Sequence, residues 1–263
     1  MLVMKAVSFG YSRNSAAKNM ALDEALKELS AKTANTYIRF YDFEKDSVIL
    51  AASDDPGSIR DRSRVEVTRR ETGGKTIYVG ENTLAYSISG PLDDNAAGTG
   101  PEALHRKYSS VALGAITEII GEAAKVSLGG VYAINVGDMP IAGHAQSIGL
   151  GHSFLYHGVV AVGRWDSSRI RESMNFPESD YEKIGMLPAL SDFTDESIEA
   201  DKRRLMDSML RRVDAKSPAE EERREAEELA SRLCNEKYRN DEWIDGRGRK
   251  LKTGARFCLL YPD

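Results

Sequence analysis

The chain has 263 residues, 41% apolar and 29% charged, with a net charge of −5. That balance suits one soluble globular domain, or a domain with a small appendix, and argues against general nucleic-acid binding, which needs a basic stripe. No apolar run reaches the roughly 18 residues that span a bilayer, the start MLVMKAVSFGYSRN is too short and too soon polar for a signal peptide, and the two cysteines, Cys234 and Cys258, give no disulfide framework and fit a reducing cytoplasm.

In chain order, residues 3–10 read as a strand, after which Asn14 or Ser15 caps a helix whose Leu22, Leu26 and Leu29 share one face. Residues 36–41 and 47–52 read as strands. Asp54-Asp55-Pro56-Gly57 is a turn, and the charged stretch 59–64 is expected to be a short exposed helix. Residues 65–90 are expected to form a central hairpin with paired glycines in its first strand and a second strand over 84–89. Glycines inside a strand often mark a close approach by a ligand or another backbone. The flanking Arg69, Arg70 and Lys75 suit an anion. The same pattern also fits a bulged hairpin with a solvated charge pair.

Further on, 93–100 reads as a loop, either a plain surface loop or a lid. Residues 105–124 read as a helix with Val111, Ala115, Ile116 and Ile119 apolar. Strands are expected over 125–128, 131–136 and 148–154, with 155–162 completing a second sheet segment. Helices are expected over 166–182 and 197–213. Composition shifts at Ala215, and from Ala219 a charged helix carries Ala226, Leu229, Leu233 and Cys234 on one side. The last residues read as an added strand or arm. The expected division is 1–214 for the main domain and 215–263 for the charged helix and arm packed on it. There is no internal repeat and no low-complexity tract.

Several segments carry a resemblance. RRETGGKTIY, residues 69–78, resembles the RRxTGGGxVYHD signature of the lipoate–protein ligase family, which belongs with biotin ligases and octanoyl transferases. The segment 19–26 resembles that family's first helix, and Ile38-Arg39-Phe40-Tyr41 its LRFY strand. Leu84-Ala85-Tyr86-Ser87 resembles LNYS, Ile141-Ala142-Gly143-His144-Ala145-Gln146 resembles KIxGxAQ, and Tyr156-His157-Gly158-Val159-Val160 resembles QHGxLL. The match is collinear over roughly 15–165. A weaker echo, Glu236-Lys237-Tyr238 and Glu242-Trp243, is similar to the terminus of archaeal two-part ligases, whose accessory domain is a separate chain.

The resemblance implies an α/β fold of the α+β type, with a mainly antiparallel larger sheet, a smaller sheet, and helices packed on one side. It also implies that lipoate or octanoate is the substrate. The acid is activated as an acyl-adenylate with ATP and Mg, or transferred directly, onto a lysine of a lipoyl-type carrier protein. Partners would be that carrier and, as in two-part ligases, a separate accessory subunit, with no nucleic acid and no membrane. A biotin-ligase-like enzyme fits less well, because no GRGRxGR-type loop is present.

Set against the family pattern, this chain departs at several positions. Pro140 stands where KIxG has its lysine, the cation that stabilises developing negative charge. Val79-Gly80 replaces HD after VY, Val131-Tyr132 stands where ND is expected, and Lys75 replaces the third glycine. The expected substrate-binding residues are Arg70, Thr72, Gly73, Gly74, Thr76, Tyr78, Gly143, Ala145 and Gln146. The expected catalytic residues are Lys75 and His144. Lys75 would replace the missing cation from the opposite wall, or act as a nucleophile if desolvation lowers its pKa; the plainer reading is a solvated lysine. His144 would face the same cavity as a base or as a hydrogen-bonding wall residue. No Cys/His spacing points to zinc, so no metal site is expected. Two readings follow: an acyl ligase or transferase with rearranged groups, or a non-catalytic homologue that binds the acyl group or its carrier.

Overall fold

The structure is a computed structural model, which describes residues 4–92, 100–130, 132–149 and 152–246. Strand β1 (Met4–Asn14) leads into helix α1 (Ala16–Thr33). Ser15 caps that helix by accepting from the Lys18 amide. The Glu66 carboxylate accepts the Ala16 and Ala17 amides at 2.9 and 3.3 Å, where a helix N-terminus favours negative charge. Strands β2 (Tyr37–Phe43) and β3 (Ser47–Leu50) follow, then β4 (Glu66–Arg69), β5 (Ile77–Val79) and β6 (Thr83–Pro91). Helix α2 (Pro101–Ile120) begins with proline at a position whose amide needs no helical partner. After it come β7 (Val126–Leu128), β8 (Ala133–Val136), β9 (Met139–Ile148) and β10 (Ser153–Ala161). The chain then runs through α3 (Ser167–Ser173), α4 (Glu178–Met186), α5 (Ile198–Arg211), β11 (Val213–Lys216), α6 (Glu220–Leu233) and α7 (Asp241–Ile244).

The larger sheet has the order β11-β1-β2-β6-β10-β9-β8-β7, and the smaller the order β4-β3-β5. In the larger sheet β1 pairs in parallel with β11 and β2, and every other pairing is antiparallel. This is the mixed α/β arrangement with two unequal sheets that the sequence led us to expect. Its helices do not keep to one side. On β10, His157 reaches Asp23 of α1, while its neighbour Tyr156 packs beside His105 and Tyr108 of α2. Successive strand residues face opposite ways, so α1 and α2 cover opposite faces.

Three expected elements differ. Residues 65–90 are not one hairpin: β4 and β5 flank β3 in the small sheet, whereas β6 lies inside the large one. The paired glycines therefore sit in the β4–β5 loop, not within a strand. Residues 59–64 form no helix; Ile59 bridges Met174 and is buried, so its apolar side chain overrides the charged neighbours. The expected strand 148–154 is not one strand, because β9 ends at Ile148 and β10 begins at Ser153. The loop 93–99 and the terminal arm, 247–263 with Cys258, lie outside the described residues.

Helix α6 packs along α1. Lys18 pairs with Glu227 at 2.8 Å, and Glu222 accepts from Asn35 and Tyr37 at 2.9 and 2.8 Å. Farther along, Tyr238 and Lys237 both reach Glu24. Arg69, with 0% of its surface exposed, fills a socket of carbonyls: Ala51 and Asp54 at 2.6 and 2.8 Å, Trp243 and Ile244 at 3.1 and 2.8 Å. Removing that fork strands several buried acceptors. Arg69→Met is expected to cost about 3 kcal/mol or more in urea unfolding. Arg69→Lys should restore little, because an ammonium cannot span the socket. A loss below about 1 kcal/mol would show the socket to be incidental.

Candidate active site

The site begins with an ionic network at the junction of α1, β2 and β10. Asp23 is 1% exposed; its carboxylate accepts from Arg39 Nη1 at 2.9 Å, Tyr41 Oη at 2.9 Å and His157 Nδ1 at 2.9 Å. Arg39 also donates to the Asn19 carbonyl and side chain, and stacks over the Tyr41 ring at 4.0 Å. The Asp23 contact requires His157 to carry its proton on Nδ1, so Nε2 accepts from the Thr72 hydroxyl at 2.8 Å. Burial pushes the Asp23 carboxyl up, but the His157 hydrogen bond and the Arg39 charge outweigh it and hold the net value below the usual range. Thr72–His157–Asp23 has the connectivity of a nucleophile, base and orienter. Thr72, however, is 0% exposed, so this chain holds the loop in place and presents no hydroxyl to a substrate.

Other contacts hold the same loop. Glu71 accepts from Lys27 at 2.6 Å and from Ser147 at 2.7 Å, tying the loop to α1 and β9. Arg70 donates to the carbonyls of Gly73 and Lys75 at 2.7 and 2.8 Å, so the loop folds around the guanidinium. Thr76 gives both its amide and its hydroxyl to Asp54. Gly74 has φ +89, a left-handed conformation that favours glycine, whereas Gly73 is exposed and has open space where a Cβ would sit.

Beneath this loop a small cavity lies between the small sheet and the α1 face of the large one. Met20 of α1, Tyr41 and Phe43 of β2, and Ile49, Ile77 and Val79 of the small sheet make it apolar. Arg70, His157, Val159 and the Gly143–Ala145 stretch complete the wall. Arg70 is the permanently charged side chain among these described residues.

The expected site residues therefore divide. Arg70, Gly143 and Ala145 line the cavity; Thr72, Gly73, Gly74 and Thr76 shape the loop above it. Lys75 is half-buried at the end of the loop and is not on the wall. Tyr78 points to the other side of β5, where burial and its bond to Asp46 push the phenol up. Pro140 sits at the register shift between β8 and β9, where its missing N–H is tolerated. Val131 lies outside the described residues. Tyr132 has φ +69, unusual for a bulky residue.

His144 borders the cavity as expected, whereas Gln146 does not. The pleat alternates, so Gly143 and Ala145 face α1 whereas His144 and Gln146 project toward α2. Gln146 donates to Pro101 and Tyr132, and the His144 ring stacks on Tyr156 at 5.2 Å. The His144 ring lies against the bare Gly158, which also lines the cavity. Burial, then the nearby His105, lower the His144 pKa to about 3, so the ring is neutral and unsuited to act as a base near pH 7. Asp23, Arg39, His157 and Met20 were missed as site residues. Asp23, Arg39 and His157 lie within the segments that carry the resemblance, and nothing in their spacing shows that they meet.

A family model described as the Lipoyl protein ligase A/B catalytic domain matches residues 15–186. No curated protein matches by sequence. Among solved structures, lipoate-protein ligase A bound with ATP is similar at 20% identity and TM-score 0.75, covering 92% of this chain and 99% of that one. A bi-partite lipoate protein ligase studied with its E2 lipoyl domain, from Thermoplasma acidophilum, is similar at 20% identity and TM-score 0.75, covering 95% and 100%. A putative lipoate protein ligase from T. acidophilum with bound lipoic acid follows at 18% identity and TM-score 0.73, covering 92% and 99%.

Asp23→Asn is expected to cost about 3–5 kcal/mol at neutral pH, because it leaves Arg39 buried without its counter-charge. The folded pKa lies below the ordinary value of 3.8, so the wild-type contribution is full above that pH and is lost as pH falls through the folded value. The gap between wild type and variant in urea unfolding should therefore shrink below pH 3.8. A pH-independent gap would assign the stabilisation to packing.

Proposed function

Because the chain belongs to the family of lipoyl protein ligase A/B catalytic domains, we propose that it binds an octanoyl- or lipoyl-type acid under the small sheet and attaches the acyl group to a lysine of a lipoyl-type carrier domain. The observation that carries this reading is the cavity, apolar along Phe43, Ile49, Ile77 and Val79 and bearing Arg70 in its wall. Each buried methylene of an alkyl acid contributes about 0.8 kcal/mol. The carboxylate end is drawn to Arg70 and to the exposed backbone of Gly73, where nothing obstructs close approach.

The similar structures with ATP and with lipoic acid bound support the acid and ATP as co-substrates; Mg with the nucleotide is part of the proposal. The archaeal ligase studied with its E2 lipoyl domain supports a lipoyl carrier as partner. In this reaction the carboxylate attacks the α-phosphate, forming acyl-adenylate and releasing pyrophosphate. The carrier lysine amine then attacks the acyl carbon, releasing AMP and a proton. On this chain Arg70 holds the acyl end, and the Asp23–His157–Thr72 chain fixes the loop that covers it. We place the reaction in the cytoplasm. Pro140 favours a second reading, an accessory subunit that binds the acyl group or its carrier without catalysing, because no lysine replaces it on the cavity wall among the described residues.

Incubation with octanoate or lipoate, ATP, Mg and a lipoyl domain is expected to raise the carrier mass by one acyl group. Calorimetric binding of the acid without that gain would establish the accessory reading, and neither result would remove both. Lys75→Ala is expected to slow transfer while leaving acid affinity unchanged, since Lys75 is off the wall. Undiminished transfer would exclude Lys75 from the chemistry.

A further inference from the structure

On the α2 face of the large sheet, opposite the cavity, lies a second group of functional side chains. His105 of α2 and His144 of β9 have ring centroids 5.6 Å apart, with Tyr132 at 5.0 Å from His105 and Tyr86 at 5.8 Å from His144. His144 is 6% exposed. Its Nδ1 lies 3.1 Å from the Tyr132 carbonyl, which can only accept, so the proton is on Nδ1 and Nε2 presents a bare lone pair. The His105 Nδ1 lies 3.0 Å from the Tyr156 hydroxyl, and with Nδ1–H donating to that oxygen the His105 Nε2 is also a bare acceptor. Both Nε2 atoms are buried with no hydrogen-bond partner, and so is Gln146 Oε1 nearby.

Buried polar atoms are normally satisfied, so three orphans on neighbouring side chains call for an explanation. Two imidazoles, each anchored through one nitrogen and open at the other, have the arrangement of metal-ligating histidines. The backbone supports it. Tyr132 is held at φ +69, and its carbonyl receives both the His144 amide, at 2.8 Å, and the His144 ring. Opposite His144 in the pairing stands Gly158, where an added Cβ would come within 2.3 Å of the ring.

We propose that His105 and His144 bind a divalent transition-metal ion of the zinc or copper kind through their Nε2 atoms. Among the described residues no three His, Cys, Asp or Glu side chains converge. The ion is therefore completed by neutral oxygen, from the Gln146 amide or water. Imidazole with neutral oxygen selects this metal class over calcium or magnesium, which prefer oxygen cages. His144 also borders the acyl cavity, but the metal site does not rest on the reading of that cavity.

The test is titration of the full chain with zinc chloride by calorimetry, and with cobalt chloride by visible absorption. One zinc per chain is expected, with a cobalt spectrum showing nitrogen ligation. His144→Phe and His105→Phe should each abolish it, while replacing the exposed His152 with Asn should leave it intact. Tyr156→Phe removes one hydroxyl that anchors His105 and should weaken zinc by roughly tenfold. That variant keeps the test decisive if a histidine replacement fails to fold. No zinc uptake by the wild type, or uptake unchanged in His144→Phe and Tyr156→Phe, would overturn the site.

Discussion

The buried carboxylate of Asp23 is the constraint on which the rest of the site depends. It lies in the first helix, yet its partners come from β2 and β10, and through His157 it reaches the glycine loop. A charge taken out of water is tolerated only if it is fully paired, so Arg39, Tyr41 and His157 must all arrive together. The network accounts for a first helix that buries Asn19, Asp23 and Glu24 as well as leucines. This helix serves as a polar hub with an apolar flank.

That hub sets the roles of the two sheets. The large sheet gives a rigid floor, and the small sheet is held above it by Glu66 on the start of α1 and by Glu71 between Lys27 and Ser147. The space between keeps apolar walls, because every charged group near it already has an assigned partner. The pleat does the rest. Adjacent residues of one strand serve opposite faces, so Ala145 borders the cavity while His144 joins the histidine and tyrosine group beneath α2.

Much of the fold was legible in the sequence. The cap at Ser15, the leucine face of α1, the helix expected over 105–124 and found over 101–120, and the small-sheet strands follow from local pattern, and the resemblance added the two-sheet plan. The hairpin expectation failed because β4 and β5 both read as neighbours of β6 along the chain, and only tertiary structure shows β3 between them. Arg70, Gly143 and Ala145 were legible as cavity residues through the resemblance. Gln146 was misplaced because a motif gives neighbours in sequence, not the face to which each one turns. Asp23 and His157 stayed hidden because their pairing spans the whole sheet and leaves no local mark.

The two consecutive arginines at the end of β4 repeat this alternation with a mechanical result. Arg69 is seated among the carbonyls of Trp243 and Ile244, and Arg70 reaches the cavity and the glycine loop. One peptide link joins them, so the short helix α7 and the cavity wall are tied to the same end of one strand. Displacing α7 unseats the first arginine and changes the reach of the second. A partner that grips this corner of the molecule thereby has a handle on the site without entering it.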